Sequence, residues 1–254
     1  MKTIKRKSLL YKTQVEYADY TINHIIGCSH GCLYPCYAMQ MSKRFGRIAS
    51  YDEWLKPRII PNALELLDKE IPRLKHKINS VHLCFMSDPF MMGHPEVTDL
   101  SLEIIDKLHK NAIKTTTLTK GLYPYKLSQI KNTINEYGIT LVSLDEEHRK
   151  NFEPNSSSYL ERINSLNELH DLGFKTWVSM EPYPTPNIFT QDLLLILEKI
   201  SFVDKIVFGR LNYNSKISKY KDNQTFYNNC CDQLIRFCED NDIEYYIKKG
   251  TYRP

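Results

Sequence analysis

Gly27-Cys28-Ser29-His30-Gly31-Cys32-Leu33-Tyr34-Pro35-Cys36-Tyr37 sets three thiols in a C-x3-C-x3-C pattern. An even spacing of four suits one face of a helix. Gly31 and Pro35 oppose that, because both disfavour a helix interior. A loop folded around an ion or cluster fits better, and soft thiolates suit zinc or an iron–sulfur cluster. A closed structural zinc site takes four protein ligands. His30 is the nearest fourth donor, but it is squeezed between two of the thiols. A cluster with one iron left open needs three thiolates only. The plain alternative is three unrelated buried cysteines.

Outward from this loop, short runs rich in Val, Ile, Thr and aromatics read as strands over 20–26, 80–85, 114–119, 139–144, 175–180, 205–209 and 244–247. Between them, helices are expected over 37–45, 62–73, 96–111, 124–137, 158–172, 190–200 and 223–240. Leu100, Ile104 and Leu108 carry the helical period in one, and Ile163, Leu166 and Leu169 in another. Gly173 stands where a helix C-terminus wants glycine. Alternating strand and helix means an α/β fold with a mostly parallel sheet under covering helices. Six or so units fall short of an eightfold barrel. A partial (β/α)6 TIM-type barrel or a doubly wound sheet both satisfy the pattern. The expected organisation is one domain over 1–254, with a core at about 20–210 and a C-terminal helix and strand, 220–254, closing it.

In either architecture function sits at the C-terminal ends of the strands. The cysteine loop follows the first strand and so lies on that rim. Ser87-Asp88-Pro89, Thr119-Lys120-Gly121, Ser143-Leu144-Asp145, Glu181-Pro182 and Arg210-Leu211-Asn212-Tyr213 lie there too. Polar residues after nearly every strand read as a site. Lys248-Lys249-Gly250-Thr251 and the Arg210 segment are expected to help close its pocket.

Composition excludes several classes. The 254 residues are 42% apolar, too many for disorder, and 34 basic against 30 acidic residues leave only +4. No apolar run reaches the ~18 residues of a membrane span. The basic start, Met1 to Lys7, is followed only by Leu9 and Leu10 and lacks the apolar stretch of a signal peptide, so a cytoplasmic location is expected. Seven cysteines is an odd number for a disulfide framework. Cys84 reads as a buried strand residue. Cys230, Cys231 and Cys238 read as packing residues of the last helix. His24, His82, His94 and His148 read as satisfied or solvated. The basic clusters Lys43-Arg44, Lys56-Pro57-Arg58 and 73–77 read as solvated helix faces.

In their order, these motifs resemble the radical S-adenosylmethionine superfamily, and within it the spore-photoproduct-lyase-like branch. The resemblance runs over about 23–186. It rests on the cysteine loop through Tyr37-Ala38, then Phe85-Met86-Ser87-Asp88-Pro89-Phe90 and Leu118-Thr119-Lys120. It continues in Val142-Ser143-Leu144-Asp145 with Arg149, Glu153-Pro154 and Arg162, and in Glu181-Pro182-Tyr183-Pro184. The departure is one extra residue, Pro35, in a motif that the family writes C-x3-C-x2-C.

The resemblance implies a [4Fe–4S] cluster on Cys28, Cys32 and Cys36, with the fourth iron chelating S-adenosylmethionine. It implies reductive cleavage to a 5′-deoxyadenosyl radical that abstracts hydrogen from an unidentified substrate. Ser87 and Asp88 match contacts to the methionyl amino group, Lys120 to the carboxylate and Ser143 to the ribose. Tyr34 and Tyr37 match the aromatic side near the adenine. An electron donor such as flavodoxin or ferredoxin is implied, and a protein partner fits a barrel open on one side. Where the branch's lyases carry a hydrogen-donating cysteine, this chain has Met86, which disfavours thymine-dimer repair. Cys84, two residues earlier, is expected on the same side but deeper. Each match has a simpler reading: Asp88-Pro89 a turn, Lys120-Gly121 a strand exit, Ser143 a strand cap, Glu153 with Arg162 a structural ion pair. The alternatives to an enzyme of this class are a non-catalytic iron–sulfur or zinc-binding protein and a nucleic-acid repair or modification enzyme. Retention of Ser87, Asp88, Lys120 and Ser143 favours the first reading, since a purely structural metal site needs none of them.

Overall fold

The computed structural model describes residues 5–34, 36–130, 134–212, 217 and 219–253. Among these, the strands are β1 Leu10–Lys12, β2 Tyr20–Ile22, β3 Ile25–Ile26, β4 Arg58–Ile59, β5 Ser80–Leu83, β6 Lys114–Thr119, β7 Glu136–Thr140, β8 Lys175–Tyr183, β9 Lys205–Arg210 and β10 Glu244–Ile247. The helices are α1 Tyr37–Arg44, α2 Tyr51–Trp54, α3 Ala63–Leu74, α4 Pro95–Lys110, α5 Glu146–Phe152, α6 Tyr159–Asp171, α7 Leu193–Lys199 and α8 Asn223–Asp240.

The main sheet runs β1-β2-β5-β6-β7-β8-β9-β10. From β2 to β10 every pairing is parallel, and β1 joins β2 antiparallel. Each parallel strand lies beside its predecessor, so the order never doubles back as a doubly wound sheet must. That decides for the partial barrel, with β10 extending the six-unit arc. The strands are buried nearly throughout, as parallel strands covered by helices are. α4 packs on β6, and α6 on β7 and β8. α6 buries Ile163, Leu166 and Leu169 as its periodicity requires, and Ser158 with Glu161 forms a capping box at its start.

Several expected elements shift. The run at 20–26 breaks after Ile22, and Ile25–Ile26 leave the main sheet to pair with Arg58–Ile59. The helix expected over 124–137 is a 3-10 turn at Tyr125–Gln129, and 131–133 lie outside the described residues. The strand expected over 139–144 starts three residues earlier, at Glu136, and ends at Thr140. Gly138, a poor strand former by type, lies in this early part. A Cβ there would sit 2.3 Å from the Trp177 ring of the neighbouring strand, so the position is built for close packing across β7 and β8.

The sheet's outer strands, β1 and β10, do not pair with each other. The β1–β2 loop spans this gap. Tyr17 lies 5.0 Å from the His82 ring and 4.9 Å from that of Trp177, inside the arc. Glu16 ion-pairs with Lys248, just past β10, at 2.5 Å. Among the described residues no helix is long and apolar enough to cross a membrane.

Candidate functional site

The cysteine loop leaves β3 at Gly27, whose φ of 91° is open to glycine and costly for other residues. A Cβ there would also lie 2.7 Å from the Trp54 carbonyl oxygen. The loop is tied on several sides. Cys28 N–H donates to Trp54 O (2.8 Å), and Leu33 N–H donates to Phe152 O (2.9 Å). Tyr51 donates its hydroxyl to Gly31 O (2.7 Å) and Asn155 Nδ2 donates to Ser29 O (3.1 Å). Cys36 then starts α1 as its N-cap. The segment is a loop, as Gly31 demanded. Pro35, the extra residue, lies outside the described residues.

Cys28, Cys32 and Cys36 are unpaired and half-buried, and all three line one cavity of about 390 Å³. Burial pushes the Cys28 thiol well above its ordinary range, and Asp88 adds to this. Burial likewise raises Cys32 to about 11, with Lys120 pulling the other way. Such thiols stay protonated unless a metal supplies the charge that makes them thiolates. Among the described residues no three His, Cys, Asp or Glu side chains converge tightly enough to hold a single ion. His30, the candidate fourth ligand, is buried with Nε2 3.0 Å from Asp88 Oδ2. The loop thus offers three thiols to the cavity, the number that a cluster with one free iron takes and one short of a closed zinc site.

Ser87, Asp88 and Lys120 line the same cavity, as do Tyr34 and Tyr37. Ser87 Oγ donates to Gly27 O, tying the β5 exit to the cysteine loop. Asp88 accepts from Thr119 Oγ1 (2.7 Å), Phe90 N (2.9 Å) and Lys120 N (2.8 Å). Burial alone would raise its pKa, but His30 and these donors hold it below the ordinary carboxylate range. The turn reading of Asp88-Pro89 is thus realised within the cavity wall. Lys120 donates to Tyr34 OH and to Glu153 Oε1, and its ammonium lies over the Tyr34 ring. Glu153 is completely buried and also accepts from Arg162 Nη2 (2.7 Å). Arg162 donates onward to Thr140 O (2.8 Å) and Ser157 O (3.0 Å). This network stiffens the wall behind Lys120, in line with the structural reading of Glu153 and Arg162. Tyr37 is half exposed, its ring 5.9 Å from that of Phe85.

Ser143 is placed differently. It is fully buried, accepts from Asp145 N (3.1 Å) and lies outside the cavity lining. Cys84 and Met86 also part company. β5 stops at Leu83, and Cys84 turns with φ 61°, so strand alternation no longer applies. Cys84 lines the cavity and Met86 does not. The Cys84 sulfur sits 3.4 Å from Nδ1 of the buried His24, whose Nε2 bonds Ser101 Oγ (2.8 Å).

The cavity also brings together the rim residues expected to close it and three residues, Tyr17, Thr140 and Ser179, that motif reading passed over. Tyr17, His82, Thr140 and Ser179 line it, with Glu181 and Arg210 near the C-terminal ends of β8 and β9 and Lys248 just past β10. Tyr17 carries no local signal, since it enters from a loop that precedes the parallel strands. Tyr213 and Asn214 of the Arg210 segment lie outside the described residues.

Comparison with known proteins gives the family and the fold. The model of the Radical SAM superfamily matches residues 22–200. An uncharacterized protein of Methanocaldococcus jannaschii is 29% identical over 184 residues, 70% of this chain and 66% of that protein. One of Acidianus two-tailed virus is 26% identical over 193 residues, 71% of this chain and 61% of that protein. The chain thus spans just under two thirds of the curated relatives it matches. Among solved structures, spore photoproduct lyase complexed with dinucleoside spore photoproduct superposes with a TM-score of 0.70 at 14% identity, over 96% of this chain and 80% of that one. Streptococcus suis SuiB bound to S-adenosylmethionine gives 0.53 at 13% identity, over 72% and 41%. At these identities the likeness is one of fold.

Proposed function

Because this chain belongs to the Radical SAM superfamily, we propose that it is an enzyme that holds a [4Fe–4S] cluster on Cys28, Cys32 and Cys36 and binds S-adenosylmethionine beside it. One observation carries this reading: the three thiols line the same cavity as Ser87, Asp88 and Lys120. When bound, the cluster and S-adenosylmethionine would supply one-electron chemistry that generates a radical able to abstract hydrogen from a substrate. A protein donor such as flavodoxin or ferredoxin would deliver the electron.

The chain's own residues orient and shield. Ser87 and Asp88 stand at the β5 exit, where an ammonium would meet a carboxylate. Lys120, held by Tyr34 and Glu153, would present its ammonium to the methionyl carboxylate. Burial works against its charge, but Cys32 and Glu153 keep its pKa above the ordinary lysine value, so it arrives protonated. Tyr34 and Tyr37 offer apolar faces to the adenine. Ser143, buried and outside the cavity lining, would reach the ribose only after a local shift. The buried Asp88 and Glu153 networks fix the wall before the ligand arrives, and preorganisation of that kind is the protein's share of cofactor chemistry. Spore photoproduct lyase binds a dinucleoside and SuiB a peptide, so the fold does not choose the substrate. Met86, which has no S–H to donate, stands where the branch's lyases carry a cysteine and disfavours thymine-dimer repair; Cys84 is the thiol that lines the cavity instead.

The test is spectroscopic. The anaerobically loaded, dithionite-reduced protein is expected to show a paramagnetic cluster signal whose g-values move on addition of S-adenosylmethionine. An unchanged spectrum at saturating S-adenosylmethionine would overturn the proposal that it binds beside the cluster.

A further inference from the structure

Where Glu181, Arg210 and Lys248 line the cavity, two carboxylates and two cations meet, but the pairing is uneven. Lys248 Nζ is 2.7 Å from Glu181 Oε2 and 2.5 Å from Glu16 Oε1, so both carboxylates are occupied by the same ammonium. Burial opposes that charge, but Tyr17, Glu181 and Glu16 hold the Lys248 pKa well above the ordinary value. Arg210, beside them, has no such partner. Among the described residues no carboxylate lies within ion-pair distance of its guanidinium, and residues 213–218, which follow, contain no Asp or Glu.

The guanidinium is nevertheless held. Arg210 Nε donates to Asn212 Oδ1 at 2.8 Å, and the Arg210 backbone N–H donates to Thr251 Oγ1 at 3.2 Å. Fixing Nε fixes the plane of the whole group. Its two terminal nitrogens make no hydrogen bond to a described residue and form a ready two-point donor. Such a fork matches the two oxygens of a carboxylate or phosphate. A half-buried guanidinium at a cavity wall, with no ion-pair partner among the described residues, has donors that an anionic ligand would satisfy. Beside it Leu211 and Pro182 are apolar, so the wall suits a ligand with an oxyanion at one end and a hydrocarbon body reaching toward the thiols.

We propose that Arg210, oriented by Asn212, anchors an oxyanion group of the substrate, so that the enzyme acts on a molecule bearing a carboxylate or phosphate. The identification of that molecule as substrate rests on the function proposed above.

The test is isothermal titration of the cluster-loaded full chain with inorganic phosphate and, separately, with glutarate, each with and without S-adenosylmethionine. The two arms tell phosphate from carboxylate recognition. The expected result is saturable binding of one anion, unaffected by S-adenosylmethionine. Arg210→Gln should weaken it about tenfold or more, and Arg210→Lys by less, because lysine keeps the charge but loses the fork. Thermal melts of both variants should match the parent, since Arg210 holds no ion pair. Absence of binding by either anion, equal binding by Arg210→Gln, or displacement of the anion by S-adenosylmethionine would each overturn the proposal. The titration reads anion binding alone. A protein whose cluster spectrum ignores S-adenosylmethionine but whose Arg210 still binds the anion would fail the proposed function and not this site.

Discussion

Replacing Cys32 by alanine is expected to strip the anaerobically loaded protein of its brown colour and of nearly all its iron, from roughly four atoms per chain to less than one. Cys28→Ala and Cys36→Ala should do the same. The reason is that the three thiols sit on one loop and line one cavity, while the cavity's other cysteine, Cys84, lies against His24 and His30 is committed to Asp88. Cys230→Ala supplies the control. Cys230 is buried on α8 against the core, and burial pushes its thiol up to about 12, so it is an inert packing residue. Iron per chain, measured by colorimetric assay on the four variants, checks this. Equal loss from Cys230→Ala would sink the three-ligand assignment. Retention of iron by Cys36→Ala would mean that the added Pro35 has moved the last thiol out of the set.

Glu153→Gln is expected to be the most damaging single change to stability. Glu153 is completely buried and meets both Lys120 and Arg162. Removing its charge leaves two buried cations facing each other, which costs about 3–5 kcal/mol in comparable settings. The pH dependence follows from the same residue. Burial would raise its pKa, but Lys120 and Arg162 pull it from 4.5 down to about 2. A carboxyl with a depressed folded-state pKa stabilises fully above its unfolded value and loses that contribution as the pH falls through the folded one. The gap corresponds to about 3 kcal/mol, lost between about pH 4.5 and pH 2. Denaturant melts of the full chain at pH 7 and pH 3 measure it. The parent should lose stability toward pH 3, whereas Glu153→Gln should be weaker at pH 7 and flatter toward acid. A variant as stable as the parent at pH 7 would show that the buried pair adds nothing.

Much of this architecture is legible in the amino-acid sequence because parallel strands are buried on both faces and read as apolar runs between amphipathic helices. The rim position of the cysteine loop follows from that alternation, and so do Ser87, Asp88 and Lys120. What escaped has physical causes. Glu136 and Gly138 begin β7, yet both residue types are poor strand formers, and only the Trp177 ring across the sheet explains Gly138. α5 has seven residues, too few to show a helical period, although Asp145 caps it by accepting from Glu147 N and His148 N. Strand alternation misplaced Cys84 relative to Met86 because the backbone turns at Cys84 itself. Tyr17 and the Glu16–Lys248 pair join the two ends of the chain, an arrangement that only the curvature of the sheet creates. Ser143 shows the opposite case, a motif residue in the expected place in the chain whose side chain the fold turns to a local capping bond.

The most direct test of the central claim is chemical. The protein is reconstituted anaerobically with iron and sulfide, reduced with dithionite and mixed with S-adenosylmethionine, and 5′-deoxyadenosine is quantified by mass spectrometry against a Cys32→Ala control. Formation well above the control is the expected result. No 5′-deoxyadenosine from a sample that holds its full complement of iron would contradict the account.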